Sequence, residues 1–173
     1  NIITLGFIVF MHLKLINKTL YFDKYKVKCA IGKRGITSKK REGDEKTPRG
    51  RLKFLSMFYR KDRVKKIRVK IKKYCIKKNM GWCDDYKSDH YNKLIQFPFK
   101  YSAEKLYLKK NIYNIILILD FNMNPIIKKK GSAIFMHISN KKYSPTKGCV
   151  AISLKDMRLL LKKITNRSKI TIY

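Results

Sequence analysis

From Leu13 to Ile31 apolar residues fall mostly at every second position between lysines: Leu13, Leu15, Leu20, Phe22, Tyr25, Val27 and Cys29. A period of two is that of a strand with one buried face, so the segment predicts two strands around a turn at Asn17-Lys18. Gly32 to Gly50 is polar, bears glycine and proline, and predicts a long loop. Loops of that length in a compact domain usually carry function or move. Arg51 to Tyr59 predicts another strand, and the basic stretch 60–80, with Val64, Ile67, Val69 and Ile71, an exposed ribbon or edge strand.

Further on, Gly81 to Asn92 is irregular and holds the only tryptophan. Ile115 to Leu119 is an unbroken apolar run, the pattern of a strand buried on both faces. Asn122 to Gly131 turns the chain, Ala133 to Ile138 returns as a strand, and Ser139 to Gly148 is a loop. Apolar residues at 154, 157, 160, 161 and 164 mark one face of a helix, with Ser153 as its N-cap. Lys169 to Tyr173 closes as a strand. This reading is strand-heavy with one clear helix, no repeat and no linker. It divides the chain into an apolar N-terminal segment, residues 1–12, and one domain, residues 13–173.

Composition changes this picture in two ways. The net charge of +32 invites a polyanionic partner. Of the 43 basic residues, however, 34 are lysine and 9 arginine, scattered in short groups. Arginine is the better phosphate fork and base reader, so specific nucleic-acid recognition is not indicated. Lysine, isoleucine, asparagine and tyrosine, all abundant here, share AT-rich codons, so coding composition accounts for much of the excess. Residues 2–11 are apolar but too short to span a membrane as a helix. No basic segment precedes them and no A-x-A-like site follows, so no complete export signal is visible.

Cysteines at 29, 75, 83 and 149 include no CxxC pair and, with only three histidines, suggest no metal site. Cys29 and Cys75 read as small buried apolar residues.

The candidate chemistry lies in Phe135-Met136-His137 and Thr146-Lys147-Gly148-Cys149, with Gly148 eleven residues after His137. An imidazole near a thiol can take its proton and activate it as a nucleophile. Gly148 allows the amides of 148 and 149 close to a substrate carbonyl, Thr146 can fix the loop or orient the imidazole, and the charge of Lys147 would lower the thiol pKa. Read without context, a lone cysteine is more often a buried apolar residue than a nucleophile, and a lone histidine on a strand more often a structural hydrogen-bonder than a base.

Four blocks together carry a resemblance. Besides His137 and Thr146 to Cys149, Lys40 to Asp44 followed by Thr47-Pro48-Arg49-Gly50 resembles a KREGDxxTPxG loop. Gly81-Trp82-Cys83-Asp84-Asp85 with Tyr91-Asn92 resembles a GWCDD…YN block, and Gly131 to His137 a GSAIFxH strand. The chain thus resembles the YkuD-type L,D-transpeptidase catalytic domain, in its short single-domain form. Lys147 stands where many members have histidine, and Ala151 where Arg or Asn is usual.

The resemblance implies a mainly β fold, a β-sandwich of mixed sheets with one or two helices. It implies a Cys149 nucleophile and a His137 base acting on peptidoglycan stem peptides through a thioester, with carbapenem-type compounds as acylating inhibitors and no cofactor. Gly148, Thr146, Lys147, Arg41, Asp44, Trp82 and Asp85 become candidate oxyanion or substrate contacts. Asp84 and Asp85 would bind the amine end of an acceptor, or else cap a turn and pair with lysines. Hydrolysis of the same stems by an L,D-carboxypeptidase and a non-catalytic basic module binding wall polymers are the alternatives. Wall chemistry implies the periplasm or cell envelope.

Overall fold

The computed structural model describes residues 11–65 and 67–173. Residues 1–10 of the apolar N-terminal segment, and Lys66 in the basic stretch, lie outside the described residues. Fourteen strands and one α-helix follow in order. They are β1 (His12–Ile16), β2 (Thr19–Phe22), β3 (Tyr25–Ala30), β4 (Ile36–Thr37), β5 (Thr47–Pro48), β6 (Gly50–Tyr59) and β7 (Lys73–Cys75). Then come β8 (Met80–Cys83), β9 (Leu94–Gln96), β10 (Ala103–Lys105), β11 (Ile115–Leu119), β12 (Phe135–Ile138), β13 (Val150–Ile152), α1 (Leu154–Leu161) and β14 (Lys169–Ile172).

The main sheet runs β11-β12-β13-β3-β2-β1-β14-β6-β7, and β6 pairs with β11 as well, so the sheet doubles back on itself. Two strands turn the corners. The first half of β6 pairs with β14 and the second, from Phe54, with β11. Likewise β3 pairs with β2 up to Lys28 and with β13 at Cys29 and Ala30. The result is a β-sandwich of mixed sheets, because within the main sheet β1–β14, β12–β13 and β6–β7 are parallel pairs and the others are antiparallel.

Alternation explains the register. Leu13 and Leu15 of β1 are buried while Lys14 is exposed. A slip by one residue would turn the lysines inward and expose the leucines. Between the layers pack Leu13, Leu15, Leu20, Met57, Leu117, Met136, Ile138, Val150 and Ile152, closed off by Met157, Leu160 and Leu161 of α1. The helix starts where Ser153 Oγ accepts from Asp156 N at 3.0 Å. Outside the β11–β12 face lies a second apolar layer, in which Ile116, Ile118 and Phe135 meet Trp82, Leu106 and Tyr113. The small sheet β10-β8-β9 contributes Trp82 to it. Among the described residues no helix is long and apolar enough to cross a membrane.

Several expectations need correcting. Residues 13–31 form three strands, with a second reversal at Asp23, which like Asn17 takes a positive φ. The loop 32–50 contains the β4–β5 ladder, and the block at Gly81 opens inside β8. In the basic stretch Val64 and Ile71 are buried against the core, and Lys73–Cys75 forms the edge strand. Cys75 is exposed rather than buried, because β7 is an edge strand whose three residues all face solvent. Cys29, by contrast, is in the core.

Candidate active site

Strand alternation aims His137. On β12, Met136 and Ile138 enter the sandwich core, so Phe135 and His137 face the outer layer. The parallel ladder sets His137 beside Ala151, two residues beyond Cys149. Cys149, His137, Thr146 and Lys147 all line one cavity of about 660 Å³. Cys149 is 8% exposed and His137 6%, so both are nearly enclosed where they line it.

The imidazole has a defined tautomer. Nδ1 lies 3.0 Å from the carbonyl of Ile138 and must carry the proton to bond it, which leaves Nε2 with its lone pair. Burial lowers the His137 pKa to about 4, against a small opposing effect of the Ile138 carbonyl. The thiol donates to Ala133 O at 3.2 Å and accepts from Phe135 N at 3.4 Å. Its pKa is pushed up to about 12, first by burial and then by the charge of Glu104, with the Phe135 amide and Lys40 pulling the other way. The resting pair is therefore neutral thiol and neutral imidazole. It follows that the lysine acting to lower this pKa is Lys40, and that the expected net lowering by Lys147 does not occur.

The loop that presents the thiol is tied down by Thr146. Its hydroxyl donates to Cys149 O at 2.6 Å and accepts from Gly148 N at 3.1 Å, while its own amide bonds Ile31 O at 2.9 Å. The Gly148 amide is thus occupied, whereas the Cys149 amide, like that of Lys147, has no hydrogen-bond partner among the described residues. Gly148 sits at φ +138°, and a Cβ there would lie 2.9 Å from Lys46 O. That position demands glycine.

The chain matches the family model of YkuD, the L,D-transpeptidase catalytic domain, over residues 12–172. It belongs to this family. Among solved structures it is similar to Mycobacterium tuberculosis L,D-transpeptidase 1, at 9% identity and a TM-score of 0.45, covering 94% of this chain and 58% of that one. The chain therefore spans less than two thirds of that protein's length. No curated protein matches it in sequence.

The remaining blocks of this L,D-transpeptidase domain form a hydrogen-bonded scaffold around the cavity. Glu42 accepts from Tyr91 OH at 2.5 Å and from Ser132 Oγ at 2.7 Å, and Tyr91 OH in turn accepts from Gly131 N. Asn92 Oδ1 accepts from Trp82 Nε1 and from Ala133 N, both at 3.0 Å. Ala133 thereby presents its carbonyl to the thiol. Trp82 is buried edge-on to Phe135 with ring centroids 5.2 Å apart, and supports the site from behind rather than lining it. Asp44 holds the loop: Lys40 Nζ donates to its Oδ1 at 2.6 Å and the Arg41 amide to its Oδ2 at 2.8 Å. Burial opposes ionisation of Asp44, but these bonds outweigh it and lower its pKa. Arg41 is exposed and lines a separate shallow recess with Lys128 to Lys130. Asp85 caps a turn through Lys87 N at 2.9 Å, while Asp84 lines the cavity.

Two cavity residues carried no signal in any motif, Glu104 and Tyr113. Tyr113 OH donates to Glu104 Oε1 at 2.5 Å, and its ring meets that of His137 edge-on at 5.2 Å. The one available hint was the isolation of Glu104 as the only acid between Asp89 and Asp120. Among the described residues no group of three or more His, Cys, Asp or Glu is placed to hold a metal.

The neutral resting thiol has a direct consequence. Iodoacetamide at pH 7 should label exposed Cys75 at least about tenfold faster than Cys149. Peptide mapping of the alkylated protein measures this, and preferential labelling of Cys149 would contradict the raised pKa.

Proposed function

We propose that this domain is a cysteine-dependent L,D-transpeptidase that acts on peptidoglycan stem peptides through a thioester. The observation that supports it most is that Cys149 and His137 line one cavity, with Nε2 of His137 keeping its lone pair and the thiol loop pinned by Thr146. Because thiol and imidazole rest neutral, the proton moves from sulfur to Nε2 as the sulfur adds to the L,D-peptide carbonyl carbon. The oxyanion that forms is met by the Cys149 amide. The C–N bond then breaks, His137 returns the proton to the leaving D-amino-acid amine, and a thioester remains. Attack by the amine of a second stem forms a new amide, breaks the C–S bond and restores the thiol. Water in place of that amine would trim the stem, as an L,D-carboxypeptidase does. From such substrates we infer that the protein works at the periplasmic or outer face of the cell envelope.

Intact mass after incubation with a tetrapeptide stem tests the reading. The expected result is a covalent adduct of the stem lacking its terminal D-residue, and a carbapenem adduct of the compound's own mass. Cys149→Ala should show neither. Adducts on Cys149→Ala at the wild-type level would remove the proposal.

A further inference from the structure

A second cavity, of about 780 Å³, shares no residue with the one that holds the thiol. One of its walls is the last turn of α1, which packs on the core side of β12, whereas His137 faces the outer layer. Lys65, Arg68, Lys70 and Lys73 enter it from the basic stretch, and Arg158 and Lys162 from α1 and its C-cap, all six exposed. Among the described residues no acid lines it. Coding composition explains lysines scattered along a chain but not their convergence. Basic residues are 43 of 173 overall, yet six of the nine that form this cavity. The fold brings them together. Arg158 and Lys162 are four residues apart and so share one face of the helix. Ile67 and Val69 pack against the core, which turns Arg68 and Lys70 outward. A bridge from Lys70 to Thr165 holds that segment beside the end of α1. None of the four ion pairs among the described residues includes any of the six. The C-terminal end of α1 offsets part of the charge of Arg158 and Lys162, but the other four have no such counterpart. Like charges facing one cavity repel each other, and an entering anion relieves that.

The floor narrows the class of anion. It consists of Ile67, Val69 and Leu161, and no aromatic ring lines the cavity. Single-stranded nucleic acid is held by stacking its bases on aromatic side chains, which this site lacks. Surfaces that enter a membrane project their apolar side chains outward. Here those side chains lie beneath the cations: Leu161 is buried, and Ile67 and Val69 are half-buried. We propose that this cavity binds a linear phosphodiester polymer with an aliphatic polyol backbone. The lysines neutralise successive phosphates, Arg68 and Arg158 offer paired N–H donors to phosphate oxygens, and the carbon backbone rests on the aliphatic floor. Bound there, the polymer anchors the domain while the thiol cavity stays open. The site stands apart from the transpeptidase reading and does not depend on it.

The test compares equal charge removed from two places. The protein is titrated calorimetrically, at about 0.15 M salt, with a synthetic decamer of glycerol phosphate and with glycerol 3-phosphate. The decamer should bind at least about tenfold more tightly, because it meets several cations at once. The double variant Arg158→Gln/Lys162→Gln should weaken decamer binding at least about tenfold. Lys14→Gln/Lys26→Gln removes the same charge from exposed positions on β1 and β3 and should change it less than about twofold. Arg68→Gln/Lys70→Gln repeats the test on the facing wall, and decides it if the helix variant melts early. Equal weakening in the helix and control variants would make binding a property of the overall field and overturns the site. A decamer that binds no more tightly than glycerol 3-phosphate overturns the polymer. So does an oligothymidylate of equal length that binds as tightly as the decamer. Capture by vesicles of three parts phosphatidylcholine to one part phosphatidylglycerol, without decamer binding, assigns the cavity to lipid and overturns it as well. A protein that binds the decamer but never acylates removes the transpeptidase reading and leaves this site standing.

Discussion

Replacing His137 with Gln should slow thioester formation by about 10³-fold and, at the same time, make the fold less sensitive to acid. The kinetic part follows from the neutral resting pair. With the thiol pKa near 12, almost no thiolate exists at pH 7, so the sulfur depends on a base that accepts its proton during attack. Glutamine preserves volume and a polar tip but has no basic nitrogen. The stability part follows from linkage. The folded-state pKa of His137 is about 4, below the ordinary 6.5 of an unfolded histidine. Between these values the unfolded chain binds a proton that the folded chain refuses, so stability is full above pH 6.5 and falls as the pH drops toward 4. The loss comes to about 3 kcal/mol. Glu104, with a raised pKa, titrates with the opposite sign in the acid range, which is why the comparison must be with the variant. Urea unfolding at pH 4.5 and 7.5 measures it: the wild type should lose about 2–3 kcal/mol more than His137→Gln between the two. Equal losses would mean that His137 is not the buried neutral base described here. Thioester formation followed by intact mass at pH 7.5 reads the kinetic part, and a fall of less than tenfold would assign the base role elsewhere.

How far the sequence foretold this site depends on what kind of information each part needed. The strands of the sandwich were legible because lysine and leucine alternate so cleanly that one register alone keeps charge out of the core. His137 and Cys149 were legible as a pair only through the accompanying blocks, and the structure gives those blocks a physical sense: Glu42, Tyr91, Asn92 and Ala133 are hydrogen-bonded to one another around the cavity. Individual roles within the blocks were not legible. Asp84 and Asp85 are adjacent, yet one lines the cavity and the other caps a turn. Arg41 and Lys40 are adjacent as well, and it is Lys40 that turns inward, to Asp44. Such distinctions depend on which way a loop residue points, and no periodicity governs that. Glu104 and Tyr113 were invisible for a different reason. They reach the site on segments with no motif, brought there by the β8–β10 ladder and by packing against Phe135. The thiol pKa was misjudged because a charge two residues away is obvious in sequence, whereas burial is not.

Gly148→Ala and Gly32→Ala should each lower the melting temperature by about 5–10 °C, and the double variant should lose clearly less than their sum. Both glycines press on the same piece of backbone. A Cβ at Gly32 would lie 2.5 Å from Glu45 O and 2.8 Å from Thr47 N. A Cβ at Gly148 would lie 2.9 Å from Lys46 O, at a φ of +138° that alanine resists. Each substitution therefore costs about 2–3 kcal/mol, in steric overlap at Gly32 and in overlap plus backbone strain at Gly148. Residues 45–47 are the wedge between the two loops. Gly32 N donates to Thr47 Oγ1 at 2.8 Å, and Gly32 also bridges to Thr146 beside the thiol loop. Once Gly32→Ala has pushed 45–47 aside, Lys46 O no longer crowds position 148, so the second substitution meets less resistance. Calorimetric melting of the two single variants and the double variant reads the coupling, expected at about 1 kcal/mol or more. Strict additivity would show that the segment from Glu45 to Thr47 does not connect the loops, and that the thiol loop is held by Thr146 alone.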